Sequence, residues 1–315
     1  MLHENVTVFF DGRFVPLQEA NVNILTHALH YGTGVFEGIR GYWCPRQEEL
    51  YLFRLEDHYR RWKTNARIFH MEIQQTVAEL CDITLETIRK NHFQCDLYVR
   101  PLVYMSSARV GVHSDGNFTF AIVAVPFGVY IDSRQGLHAG VVSWRRIEDT
   151  AIPSRAKVCG AYVNSVLATD EAHRHGYDEA ILLSESGHVT EGATCNLFIV
   201  RNGKMITPAV SDNILEGITR QSIIDLARRE LHLDVIERSI DRTELYTCDE
   251  AFLTGTAVEV APIVKIDHRP IGDERIGPIT AHLRQIYVDA THGRMAEYFH
   301  WLTHTYQPAL SSVEI

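Results

Sequence analysis

Apolar positions at Leu55, Tyr59, Trp62, Ala66 and Phe69 advance in alternating steps of four and three, the period of one helical face. Val77, Leu80, Cys81, Leu85 and Ile88 predict a second helix in the same way. Elsewhere in the first half the signal is extended. Residues 97–104 and 118–127 are rich in β-branched and aromatic side chains, and Asp11-Gly12 supplies a two-residue turn between the runs 6–10 and 13–15. This pattern predicts a sheet with two helices against it.

Pro126, Gly128 and the polar run Asp132-Ser133-Arg134-Gln135-Gly136 interrupt the pattern before a new extended run begins at Leu137. The boundaries drawn from this are a small domain over 1–128, an interdomain loop over 129–140 and a larger domain over 141–315. In the larger domain the spacing predicts a strand to Trp144, a helix from about Gly160 to His173, strands over 180–183 and 196–200, and a hairpin at Asn202-Gly203. Helical stripes follow through Ile223, Leu226, Ala227 and Leu231 and over 279–288. Hairpins outnumber strand–helix–strand alternations, which disfavours a doubly wound parallel sheet and leaves an α+β class.

Composition narrows the partners. The 315 residues are 45% hydrophobic and 22% charged, an ordinary globular balance, and the net charge of −10 supplies no basic footprint for nucleic acid or anionic lipid. Six scattered cysteines without a C-x-x-C pair, no signal-peptide pattern and no apolar run long enough for a bilayer make the cytoplasm the expected compartment. His27 with His30, and His173 with His175, match no metal-ligand spacing, so no metal is assigned. Gly32-Thr33-Gly34-Val35-Phe36-Glu37-Gly38 has Glu37 where a dinucleotide loop needs glycine, and its glycines read as tight turns and close packing.

Candidate chemistry begins at Lys157, which lies among small and apolar residues just before a helix, with Tyr162 five residues on. Partial burial would leave its amine neutral and nucleophilic, suited to a Schiff base; a solvated surface charge is the competing reading. Glu191 ends a short strand leading to Asn196, where a buried carboxylate would need a partner such as a pyridinium nitrogen; a turn or cap is the alternative. Gly217-Ile218-Thr219 opens a helix, and Thr254-Gly255-Thr256-Ala257 closes a strand in a small hydroxyl-rich turn. Both suit a phosphate or other anion. Each feature is weak alone. Together they form the set of parts that pyridoxal phosphate requires.

Through these residues the chain resembles the branched-chain amino acid aminotransferases, which belong to the class IV, or fold-type IV, pyridoxal-phosphate enzymes. The resemblance covers nearly the whole chain: the run from His27 to Arg40, Tyr98-Val99-Arg100-Pro101, Lys157, Glu191-Gly192, Gly217-Ile218-Thr219-Arg220 and Gly255-Thr256-Ala257. It implies a small N-terminal α/β sandwich, a larger C-terminal pseudo-barrel domain that binds pyridoxal 5'-phosphate, and a homodimer or higher homo-oligomer. The implied reaction moves the amino group of leucine, isoleucine or valine to 2-oxoglutarate by a ping-pong route. An (R)-amine or D-amino acid transaminase of the same fold remains open, as does a non-catalytic module that binds a phosphorylated ligand.

The resemblance also implies roles. Lys157 would be the catalytic lysine, Glu191 the partner of the ring nitrogen, and Tyr162 a donor to the phenolate oxygen. Arg54, Gly217, Ile218, Thr219 and Thr256 would hold the phosphate. Tyr31, Phe36, Gly38, Tyr98, Arg100, Val110, Phe127 and Tyr130 would surround the substrate, with Thr256 and Ala257 on its α-carboxylate. Arg109 and Val110 depart from the family's usual loop, and Glu216 stands where proline is common.

Overall fold

The computed structural model describes residues 6–307. It divides into two compact units. The first holds the chain up to Gly128, Ala156–Gly160 and the chain from Asp289 on; the second holds Val129–Arg155 and Ala161–Val288.

In the first unit the hairpin Thr7–Phe10/Arg13–Pro16 forms around Asp11 and Gly12, both at positive φ. It edges an antiparallel sheet that continues through Phe118–Pro126, Leu97–Met105, Ile39–Cys44, Glu49–Phe53 and Leu302–His304, with Gly34–Phe36 also paired to Leu97–Met105. The helices Leu55–Ala66 and Val77–Asn91 bury Tyr59, Trp62, Leu80 and Ile88 in one core with Leu97, Val99 and Ile122. Thr76 and Glu79 close a capping box on the second helix. Trp62 Nε1 donates to the Val35 carbonyl at 2.9 Å, which fixes the strand carrying Phe36 to the first helix.

The second unit is built on a mixed sheet in which Asn196–Arg201, Glu250–Gly255, Glu259–Ile266, Leu137–Arg145, Glu179–Leu183 and His188–Gly192 pair in turn. The last of these also pairs with the first, so the circuit closes, the barrel-like arrangement expected for this part of the chain. Leu137–Arg145 and Glu179–Leu183 are parallel, and the helix Tyr162–Arg174 lies in the connection between them. Ala168 and Ala172 of that helix pack on Val142, Ala180 and Leu182. Lys204–Thr207 and Val235–Glu237 are also parallel, with the helix Ile218–Glu230 between them, so strand–helix–strand crossovers sit among the hairpins. Among the described residues no helix is long and apolar enough to cross a membrane.

The units divide after Gly128, and two of the bounds drawn from sequence are corrected. The 129–140 segment is not loop throughout, because a strand begins at Leu137. The 141–315 span is not one domain: Val158 bridges Val35, and Leu302–His304 pairs with Glu49–Phe53, so backbone pairing draws the Lys157 segment and Leu302–His304 into the first unit.

Candidate functional site

Lys157 belongs to the first unit, where its carbonyl accepts from Phe36 N at 3.0 Å and its Nζ stands 5.1 Å from the centroid of the Phe36 ring. The Arg100 guanidinium lies over the same ring at 4.4 Å and over Tyr98 at 5.1 Å, and Nη2 donates to the Tyr98 hydroxyl at 3.0 Å. Tyr98 meets Phe127, with ring centroids 5.1 Å apart. A Cβ at Gly38 would stand 1.9 Å from Tyr98 Oη, so glycine is what allows this tyrosine its position. An amine, a guanidinium and aromatic rings with a polar tip thus share one surface, suited to an apolar chain and a carboxylate alike.

Tyr31 accepts from Gly111 N at 2.8 Å, which ties to it the loop carrying the exposed Val110. His27 Nδ1 bonds Thr33 Oγ1 and His30 Nε2 bonds the Ile24 carbonyl, so both histidines make local turn contacts. Tyr130, expected at the substrate, belongs to the second unit and is exposed.

Glu37, Arg61 and His58, none of them a site candidate from sequence, form a buried charged cluster in this unit. Glu37 is fully buried and receives Arg61 Nε and Nη2, each at 2.7 Å, and His58 Nδ1 at 2.8 Å. Burial alone would raise its pKa, but Arg61 and His58 outweigh it and hold the carboxyl well below the usual range. His58 is pushed down by burial, against the pull of Glu37, and the charges of Arg61 and Lys157 push it further in the same direction. Arg61 is therefore the arginine that the helix brings to Glu37, the residue after Phe36. Arg54, the expected phosphate arginine, reaches Asp57 at 2.6 Å and lies over Trp301 at 5.4 Å.

In the second unit the remaining candidates gather around Asn196. This residue begins a strand flanked by those that carry Glu191 and Thr254, and it pairs with both residues. Its Nδ2 donates to Glu191 Oε2 at 3.0 Å and to the Leu215 carbonyl at 2.9 Å. A Cβ at Gly217 would fall 2.0 Å from Asn196 Oδ1, so only glycine lets the helix Ile218–Glu230 begin this close. Gly217 caps that helix without a side chain, no acidic residue occupies the first turn, and Ile218 and Thr219 are its first residues. Its N–H groups therefore point at an anion position of the ordinary kind. Thr256 and Ala257 form the turn after Glu250–Gly255, and Tyr162 opens the helix Tyr162–Arg174. Glu191 is buried, and its Oε1 meets Arg146 Nη2 at 2.8 Å.

The profile of the family described as amino-transferase class IV matches residues 34–266. The chain belongs to that family. It is 49% identical over 299 residues to a probable branched-chain-amino-acid aminotransferase of Aquifex aeolicus, covering 95% of this chain and 96% of that one. Among solved structures it resembles the branched-chain amino acid aminotransferase of Thermobaculum terrenum in its PLP-form, with a TM-score of 0.92 and 40% identity over 97% of this chain and 100% of that one. It is also similar to the branched-chain aminotransferase of the thermophilic archaeon Thermoproteus uzoniensis with norvaline, with a TM-score of 0.91 and 44% identity over 96% and 99% of the two chains.

Proposed function

We propose that this chain is a pyridoxal-phosphate-dependent transaminase that moves the amino group of leucine, isoleucine or valine to 2-oxoglutarate. The observation that carries the reading is the Lys157 amine beside Phe36, on the surface where Arg100 and Tyr98 offer a cation and a hydroxyl within an apolar setting. Near-full-length similarity to branched-chain aminotransferases supports it.

The donor set fits the cofactor: an amine, a buried carboxylate beside an arginine, and an uncapped helix start without acidic side chains. Pyridoxal phosphate, when bound, supplies a carbonyl that links to amines and a protonated ring that withdraws electrons. In this reading Lys157 Nζ moves the proton lost from the substrate Cα. Glu191 holds the proton at the ring nitrogen, and Tyr162 donates to the phenolate oxygen. Gly217, Ile218, Thr219 and Thr256 bind the phosphate through N–H and hydroxyl donors. Arg54, which opens the first helix, or Arg61 within it is proposed to join them. Tyr31, Phe36, Gly38, Tyr98, Arg100, Val110, Phe127 and Tyr130 orient the substrate, with Thr256 and Ala257 on its α-carboxylate.

The reading extends to a cytoplasmic homodimer in which the loop 109–112 of one copy covers the site of the other. Val110 and Val112, both strongly exposed on that loop, support this. A donor panel with 2-oxoglutarate tests the activity: leucine, isoleucine and valine should be consumed, and preference for a D-amino acid or an (R)-arylalkylamine would overturn it. Light scattering at assay concentration tests the dimer, which an active monomer would refute.

A further inference from the structure

Glu191 has a cation beside it before any cofactor is considered. Arg146 Nη2 lies 2.8 Å from Glu191 Oε1, and both side chains are almost fully buried, at 10% and 6% exposure. The other oxygen accepts from Asn196 Nδ2 and, at 3.2 Å, from Leu215 N. These two donors are neutral, so Arg146 brings the countercharge of this set.

The same arginine is tied to the loop that leads to the helix Ile218–Glu230. Its Nε donates to the Asn213 carbonyl at 3.2 Å, and its backbone N is held by the Leu183 carbonyl at 2.8 Å. Asn213 is fixed in turn by Nδ2 donating to Glu148 at 2.7 Å. Leu215, two residues on, is gripped at both ends, its N–H on Glu191 and its carbonyl on Asn196. The carboxylate and the start of the helix are thereby parts of one hydrogen-bonded assembly, with Arg146 as its charge.

We propose that Arg146 is a positioning residue that keeps Glu191 in its ionised form, so that the proton shared with a bound pyridine ring stays on the ring nitrogen. The inference rests on the cofactor reading above. Its physical basis is the cost of an uncompensated buried charge. With Arg146 present, a carboxylate facing a pyridinium is an ion pair with a second cation behind it. With Arg146 replaced by a neutral side chain, the carboxylate loses that support, and the proton passes from the ring nitrogen to a Glu191 oxygen. The pair N–H⁺ and carboxylate becomes N and carboxylic acid, with the total charge of the pair unchanged. A neutral ring withdraws electrons less well, so the chemical step slows while substrate binding, which uses other groups, does not.

The test loads Arg146→Met, Arg146→Gln and Arg146→Lys with pyridoxal phosphate carrying ¹⁵N in the ring and records the ring-nitrogen resonance. Arg145→Met, a change at the exposed neighbouring residue, is the control. Expected are a protonated ring in the unaltered protein, the Arg145 variant and Arg146→Lys, and a shift toward the unprotonated position in Arg146→Gln and Arg146→Met. By analogy with outer partners of ligating groups, kcat should fall about 10- to 100-fold in the neutral variants with little change in KM. Arg146→Gln retains hydrogen bonding and keeps the test available if Arg146→Met does not fold. An unshifted resonance in Arg146→Gln, or an equal shift in Arg146→Lys, would overturn the proposal. Failure of the unaltered protein to bind the labelled cofactor would instead overturn the cofactor reading itself.

Discussion

Lys157 and Phe36 meet twice: Phe36 N donates to the Lys157 carbonyl at 3.0 Å, and the lysine Nζ stands 5.1 Å from the phenyl centroid. A backbone bond and a side-chain contact on the same pair fix where the amine is presented. Lys157→Ala should therefore abolish transamination and leave the fold intact, since neither the backbone bond nor the Val35–Val158 bridge needs the side chain. Purified variant with an unaltered circular dichroism spectrum and wild-type turnover would remove Lys157 from the mechanism.

Glu37→Gln should destabilise the protein by about 3–5 kcal/mol, because it leaves the Arg61 guanidinium without its buried countercharge. Equilibrium unfolding in urea measures this. A loss below about 1 kcal/mol would mean that solvent already shares the charge of Arg61.

How much of this arrangement was legible in the sequence depends on distance along the chain. Lys157, Glu191 and Gly217 are readable because turn chemistry and helix starts are local: a glycine before a helix is a statement about a few neighbouring residues. Glu37 and Arg61 are 24 residues apart. Periodicity marks the helix face that carries Trp62 but says nothing of which carboxylate its neighbour Arg61 will meet. Arg146 and Glu191 are joined only because Leu137–Arg145, Glu179–Leu183 and His188–Gly192 lie side by side in one sheet, which no local pattern announces. The return of Leu302–His304 to the first sheet leaves no sequence signal for another reason: three residues are too few to display a period of two.

Glu49 provides a pH test of that returning segment. Its carboxylate, buried beside the strand end, accepts from Leu50 N at 2.8 Å, Thr305 N at 3.0 Å, and Tyr306 N and Gln307 N, each at 2.9 Å. Burial would raise its pKa, but the backbone donors prevail and lower it. A carboxyl whose folded pKa is depressed contributes stability above its unfolded value of about 4.3, and that contribution fades as pH falls through the folded value. Glu49→Gln should thus lose about 1–3 kcal/mol at neutral pH, and the difference from the unaltered protein should shrink in acid. Urea midpoints across that range decide the matter; a pH-independent difference would point to packing instead of charge.

Two arginines compete for the γ-carboxylate of 2-oxoglutarate, and their surroundings separate them. Arg100 lies over Phe36, the ring that Lys157 also faces, and donates to Tyr98, so its charge is presented where the amine is. Arg109 turns back on its own loop: Nη2 donates to the His113 carbonyl, and its backbone N is held by Leu25. In a mostly apolar setting a carboxylate gains from a fixed guanidinium, whereas the side chain of leucine gains from buried area and has nothing to pair with one. Arg100→Leu should therefore raise KM for 2-oxoglutarate strongly and leave the leucine half-reaction, followed in single turnover, only mildly slowed. Loss of a charged, hydrogen-bonded contact places the expected effect at about 10-fold or more on the oxo acid. Arg109→Leu should affect both substrates little. The reverse pattern, with equal losses for both substrates in Arg100→Leu and a loss confined to 2-oxoglutarate in Arg109→Leu, would transfer the carboxylate to the loop arginine.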